Sequence, residues 1–400
     1  MPSVLRGYRA DLAFDGERAL PSGALVLVQD GRIVGVEAGS AAAPDGSQVT
    51  YLPGGTLLPG LIDAHVHLCG DGGPRALDQL PELGPAELDA VISAAGRTQL
   101  TAGVTAVRDL GDSQWAVVDR RRNGVGPTVA ASGPPLTSVR GHCWAMGGEV
   151  SGMDGLRRAV RERAERGVDV VKIMASGGAL TPGTDVLACQ FSTDELRAAV
   201  DEAHRLGLPI TAHAHAAPAV AQAVEAGVDG IEHCSCLTPQ GFRTPAGLAE
   251  RIAAAGIVVC PTLGRAPGVE PPPQLRAMLE RTGTNWEGRL AQVADLVRAG
   301  VTMISGADSG ISQGKRHGVL PMAVADLVEC GMPAAAALAS ATSLAAKACG
   351  LADRTGRLAP GLDADLVLVD GDPMTDITAL RAVRLVVSRG RQIDLAPSLS

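Results

Sequence analysis

VDVVKIMASGGALTPGTDVLACQFSTDELRAAVDEAHRLGLPITAHAH, residues 168–215, holds one complete structural repeat of the chain. VDVVKIMAS (168–176) is a short apolar run rich in branched side chains, the mark of a strand buried on both faces. STDELRAAVDEAHRLG (192–207) has helical periodicity; Ser192 with Glu195 three residues on opens it as a capping box, and Gly207 closes it. LPITAHAH (208–215) then starts a second apolar run. Strand, helix and strand in this order predict a β-α-β unit with parallel strands.

Outward from it, the pattern repeats until eight runs are found: 56–68 (TLLPGLIDAHVHL), 104–110, 128–133, 168–176, 208–215, 228–234 (VDGIEHC), 256–262 (GIVVCPT) and 301–309 (VTMISGADS). The joints TAGVT, ERGVD, RLGLP, EAGVD, AAGIV and RAGVT all place glycine where a helix must stop before a buried strand begins. Eight such units predict an α/β fold, a (β/α)8 TIM barrel over 55–354, whose active site lies at the C-terminal strand ends. The flanks read differently. Residues 1–54 and 355–400 contain hairpin patterns with Asp-Gly and Arg-Gly turns, and are expected to pair into one small β-sandwich built from both termini. Residues 69–85 and the glycine- and proline-rich stretch 264–273 are candidate lids.

A chain of 400 residues exceeds one ordinary core, in keeping with a barrel plus a satellite. No apolar stretch is long enough for a membrane span, and the start, MPSVLRGYRADLAFDG, has no signal-like core before Asp11 and Asp15; a cytoplasmic enzyme is expected. The net charge of −8 carries no basic run beyond Arg120 to Arg122, which gives nucleic acid no footprint. A small molecule is therefore the expected partner, with a symmetric homo-oligomer of unspecified number compatible with this size. The 8 cysteines form no CxxC pair, Cys234 and Cys236 being the one close pairing, so buried free thiols are expected.

Five of the 8 histidines stand at or beside run ends: His65, His67, His213, His215 and His233. One histidine alone is usually structural, but five at one end of a barrel are not. Residues i and i+2 of a strand face the same side, so His65 and His67 can grip one ion through imidazole nitrogen. His213 and His215 share that relation, and one of the two is free to contact substrate instead. Asp308, in GADSG, adds a carboxylate or merely forms a turn. Only Lys172, Lys315 and Lys347 exist, and Lys172 alone falls in a predicted barrel strand, where an ammonium is costly. A salt bridge is one explanation. The other is a deprotonated amine that reacts with carbon dioxide, the carbamate offering two anionic oxygens to two metals.

PGLIDAHVHL, VVKIMASGG, AHAH, GIEHC and GADSG, in this order, resemble the metal-dependent amidohydrolase superfamily along essentially the whole chain, and GRLAPGLDADLVLVDGDPMTDI resembles its closing tail. SGGALTPGTDVLACQFSTDEL, HAH and VRDLG resemble its binuclear dipeptidase and N-acyl amino acid hydrolase subgroup, which has prolidase-like and ochratoxin-cleaving members. The resemblance implies that His65 and His67 bind one divalent ion, His213 and His233 a second, carboxylated Lys172 bridges them, and Asp308 is both ligand and general base. Zinc is favoured by the imidazole-rich set, with manganese or cobalt also compatible. It further implies cleavage of a C–N amide bond by a hydroxide shared between the ions. Ala216, Cys234 and Cys236 depart from the pattern and bear on substrate identity rather than on the ligands.

Both tyrosines, Tyr8 and Tyr51, precede the barrel, so the oxyanion donor is expected to be His142 or His215. His317 and Arg140 are candidate substrate contacts, and Arg265 a further partner for a substrate carboxylate. His204 reads as structural. Three rivals stand beside the dipeptidase reading. A hydrolytic deaminase usually works with one metal and without the bridging lysine; a lactam or imide hydrolase commonly uses a tyrosine; a non-catalytic scaffold would lack ligands.

Overall fold

The computed structural model describes residues 4–121 and 126–395; Arg122 and the last five residues of the expected C-terminal β-unit lie outside them. The parallel strands form two sheets. Leu61–Val66, Val104–Asp109 and Thr128–Ala131 make the first, in that order. Val171–Met174, Ile210–Ala216, Gly230–Thr238 and Val258–Cys260 make the second, with the short strand Gly241–Phe242 at one edge. Isolated bridges Leu136–Ile173, Val259–Met303 and Val66–Ser309 link their ends. The expected continuous eight-stranded ladder is thus interrupted.

Run eight shows why. Its backbone bonds both neighbours, Ile304 N to Val259 O at 3.0 Å, Ala64 N to Ser305 O at 3.0 Å and His67 N to Ser309 O at 2.8 Å, yet it never becomes regular strand. Gly306 packs so tightly that a Cβ there would meet His65 N at 2.7 Å, and the backbone leaves extended geometry at Asp308, with φ 57°. The gap between the two sheets falls at Gly133-Pro134-Pro135, where proline offers no ladder donor.

Helices pack around these strands, among them Pro85–Thr101, Gly152–Arg166, Thr193–Arg205, Ala217–Ala226 and Trp286–Arg298. The predicted capping box is present: Glu195 N donates to Ser192 Oγ at 3.3 Å and Ser192 N to Glu195 Oε2 at 2.9 Å. Their apolar faces join the strands in one extended core that includes Leu61, Val107, Ile173, Leu196, Val220 and Ile231.

Both termini pair in one eight-stranded ladder: Arg391–Gln392, Val383–Ser388, Leu366–Asp370, Gln48–Pro59, Arg6–Phe14, Ala24–Gln29 and Arg32–Ala38, with Ala19–Leu20 beside Arg6–Phe14. Gln48–Pro59, at 12 residues, is long enough to pair with the N-terminal strand on one edge and Leu366–Asp370 on the other. It carries this sheet to Pro59, beyond the expected end at 54, and hands the chain through Gly60 to the first parallel strand. No helix among the described residues is long and apolar enough to cross a membrane. All 8 cysteines are free, and all but Cys189 are buried.

Candidate metal centre and active site

Strand alternation places His65 and His67 side by side at the end of Leu61–Val66, with ring centroids 5.4 Å apart. Asp308 Oδ1 lies 3.3 Å from His65 Nε2 and 3.2 Å from His67 Nε2. His213 and His215, at the end of Ile210–Ala216, continue the cluster, and His233 lies 4.6 Å and 4.3 Å from them, centroid to centroid. His65, His233 and Asp308 can converge on one point, and so can His213, His215 and His233. His142 joins from the loop after run three, its ring 4.6 Å from that of His213. All of these, with Lys172, line one cavity of about 230 Å3.

The rings are oriented from behind. His65 Nδ1 is 2.7 Å from Glu232 Oε2, His67 Nδ1 3.0 Å from the Gly111 carbonyl, and His213 Nε2 3.2 Å from the Gly177 carbonyl. These acceptors fix the proton on the bonded nitrogen and leave the other as a lone pair. At His233, Thr262 Oγ1 donates its own proton to the Pro261 carbonyl at 2.8 Å, so it accepts from Nδ1 at 2.7 Å and frees Nε2. Burial lowers the pKa of His65, His142, His213, His215 and His233, whereas at His67 the hydrogen bond and charge of Asp308 outweigh desolvation and raise it. His65 is pushed down to about 4 by desolvation and the Lys172 charge, and His215 to about 3 by desolvation and His142. Asp308 is held well below the usual carboxylate range: burial alone would raise it, but His65 and His67 outweigh that. Imidazole nitrogens aimed together beside an ionised carboxylate suit a divalent cation.

Left-handed backbone occurs at His233 (φ 65°), Thr262 (φ 52°) and Asp308 (φ 57°), where runs six, seven and eight end. Such conformations cost of order 1–3 kcal/mol for residues with a Cβ and persist where the surroundings impose them. Here they turn the side chains into the cavity.

Lys172 is 1% exposed; its backbone carbonyl accepts from Leu136 N at 2.8 Å, but its Nζ makes no hydrogen bond or ion pair among the described residues. Desolvation lowers its pKa, although Glu232 and Asp308 pull the other way. A salt bridge does not explain this lysine.

Several residues that sequence reasoning missed brace the site. Glu232 accepts from Arg108 NH2 at 2.8 Å and Thr211 Oγ1 at 2.7 Å besides holding His65. Burial would raise its pKa, but Arg108 and His65 hold it at about 2. Asp63 accepts from Ala307 N at 2.9 Å and Ser309 Oγ at 3.0 Å, tying run one to the residues either side of Asp308. Each lies in a quoted run as a charge among apolar neighbours, the same signal that singled out Lys172. Arg108→Met should cost about 3–5 kcal/mol in a denaturation experiment, because Glu232 would be left buried and uncompensated. A loss under about 1 kcal/mol would show that the pair is not what holds the carboxylate ionised.

Two expected substrate contacts, His317 and Arg140, lie outside the cavity lining. His317 is buried outside the cavity lining, with Nε2 on the Gly70 carbonyl at 2.8 Å and Nδ1 3.3 Å from Gln99 Nε2; both nitrogens are taken up in tying loops. Arg140, exposed and with φ 53°, turns its guanidinium over Trp144 at 5.2 Å and does not line the cavity. Arg265 does line it, as do Val269, Pro271 and Pro272 from the expected lid after run seven and Leu77 from the lid after run one. His204 is on the exterior, paired with Asp229 at 2.9 Å, as expected of a structural residue.

Residues 56–393 match the Amidohydrolase family. Ochratoxinase of Aspergillus niger is 28% identical over 382 residues, covering 86% of this chain and 76% of its own. An uncharacterized protein of Mycobacterium tuberculosis is 31% identical over 377 residues, covering 91% and 90%. Among solved structures, a Xaa-Pro dipeptidase with methionine bound in its active site superposes with a TM-score of 0.84 at 25% identity, covering 97% of this chain and 99% of that one. That likeness gives the strands and helices described above the arrangement of a TIM-barrel-type amidohydrolase. The chain belongs to the amidohydrolase family and is a hydrolase acting on C–N bonds.

Proposed function

We propose that this protein hydrolyses the amide bond of a dipeptide or N-acyl amino acid, with His65 and His67 holding one divalent ion, His213 and His233 a second, Lys172 as a carbamate between them, and Asp308 as ligand and base. The observation that carries the reading is the set of ring nitrogens left free around an unpaired buried lysine within one cavity. The activities named for ochratoxinase and the dipeptidase agree with it. The same reading closes the two parallel sheets into one (β/α)8 barrel over residues 55–354, with the terminal sheet as its satellite.

Held by these residues, divalent ions, zinc by preference, would supply polarisation of the carbonyl and a water of pKa about 7. The protein does the rest. Lys172, its pKa lowered by desolvation, would as the free amine bond Nζ to carbon dioxide and give up one N–H proton to solvent, leaving a carbamate anion where an ammonium would otherwise be buried. Asp308 takes the proton of the attacking water and delivers it to the leaving nitrogen, so the amine departs neutral. His142 and His215 serve as neutral donors to the carbonyl oxygen. Thr181 Oγ1, 2.8 Å from His142 Nδ1, already accepts from Cys143 N at 3.1 Å and can give its own proton to the ring, leaving Nε2–H as the donor. Ser235 Oγ stands 2.9 Å from His215 Nδ1 in the same relation.

Metal-replete protein should contain about two divalent ions per chain by elemental analysis, since the ligands form two half-sites. It should turn over members of a panel of dipeptides and N-acyl amino acids in preference to lactams and aminated heterocycles. A stoichiometry near one with full activity on an aminated heterocycle would replace this reading by a deaminase.

A further inference from the structure

Three cations share one flank of the cavity, and none has an ion-pair partner among the described residues. Arg289 is 7% exposed; its NH2 donates to the His233 carbonyl at 2.6 Å and the Pro261 carbonyl at 2.9 Å, and its NH1 to Gln292 Oε1. Lys315 Nζ donates to the Thr262 carbonyl at 2.7 Å and the Leu263 carbonyl at 3.2 Å, which leaves one ammonium proton without a protein acceptor. The two grip successive carbonyls of 261–263 and so converge on one turn of chain. Arg265, two residues on, lies over the Trp286 ring at 3.9 Å. The acids whose charge reaches Lys315 are engaged elsewhere: Asp326 accepts from Gly264 N at 2.8 Å, and Asp308 faces His65 and His67. A buried guanidinium and a partly buried ammonium held only by neutral acceptors are costly until an anion arrives.

We propose that this flank is the subsite for a substrate carboxylate, read by Lys315 and Arg265 against the fixed charge of Arg289, so that the enzyme selects amides bearing a free carboxylate beside an apolar group. The apolar group packs on Leu275, Met278 and Leu279, which share one face of the helix Pro273–Thr282 and line the same cavity. This rests on the amide-hydrolase reading and adds which end of the substrate is recognised and by what.

The test uses N-benzoyl-L-phenylalanine and N-benzoyl-2-phenylethylamine, which share the scissile amide and differ only in the carboxylate, with metal-replete enzyme. Calorimetric titration with 3-phenylpropionate and 3-phenylpropanol reads the subsite without turnover. Wild type should favour the acid by roughly 10²-fold or more in kcat/KM, as a site with buried polar groups rejects the analogue that leaves them unpaired. Lys315→Met and Arg265→Gln should each shrink that preference roughly tenfold or more, mainly through KM, while Lys315→Arg keeps most of it; thermal melts check that each variant folds. Equal kcat/KM for the two amides, or a preference unmoved in both folded variants, overturns the subsite and leaves the hydrolase. Binding of 3-phenylpropionate over the alcohol that depends on Lys315, with neither amide cleaved, keeps the subsite and removes the hydrolase reading. Neither cleavage nor a binding preference overturns both.

Discussion

Lys172→Ala should lose metal and turnover together, with affinity for the ions falling by more than about 10²-fold, because a direct ligand counts for more than the supporting groups whose loss costs about 10–100-fold. The reasoning starts from cost. An ammonium at 1% exposure with no acid or acceptor bonded to it should have been replaced by methionine or leucine if its only task were to fill space. A purely structural lysine therefore predicts the reverse outcome: Lys172→Met would be neutral or stabilising, and elemental analysis would find the metal retained. Glu232 and Asp308 make the contrast sharper, since both draw positive charge toward this position and two ions with a carbamate would satisfy them as an ammonium does. Short carboxylic acids with bicarbonate should restore part of the activity of Lys172→Ala by lending oxygens to the space left. Wild-type-like activity in the unsupplemented alanine variant would remove the lysine from the centre.

That the histidines gather in one place could be read from the chain because two simple regularities converge there. Side chains alternate along a strand, and a parallel barrel presents the ends of its strands on one face, so HVH, HAH and GIEHC all had to meet. Lys172 stood out by rarity and by the cost of its burial. The same cost argument applied to Arg108, Asp63 and Glu232 would have found the groups that brace the site, since each interrupts an apolar run. Arg289 and Lys315 were beyond that argument. One lies on the helix Trp286–Arg298 and the other ends the single 3-10 turn Gln313–Lys315, where a charge is ordinary until tertiary structure encloses it. Arg140 misled for the opposite reason: its loop is at the active face, but its backbone turns the side chain onto Trp144. Run eight was legible as a strand and not as an irregular one, because its departure from extended backbone at Asp308 (φ 57°) and the close packing of Gly306 on His65 depend on residues more than two hundred apart in sequence.

Asp308→Asn should lower kcat by about 10² to 10⁴ while KM barely moves, the range expected when a general acid–base group is lost. Asparagine keeps the size and one coordinating oxygen, so the metal should survive better in this variant than in His65→Ala. The geometry supports that separation. Asp308 Oδ1 stands 3.2–3.3 Å from both His65 and His67, where it can share a ligand position, and its other oxygen is available for a proton. Its two tasks differ in timing: holding an ion matters throughout the cycle, whereas moving a proton from water to the leaving nitrogen matters only in the transition state. An amide oxygen can still do the first, but it is far too weak a base for the second. A turn-forming aspartate predicts the opposite. Asn tolerates left-handed backbone about as well as Asp, so at φ 57° the substitution would cost little stability and leave turnover intact. If Asp308→Asn retains its metal and cleaves the best substrate at near wild-type kcat, the proton must travel through another group, and His142 and His215 become the residues to test for that role.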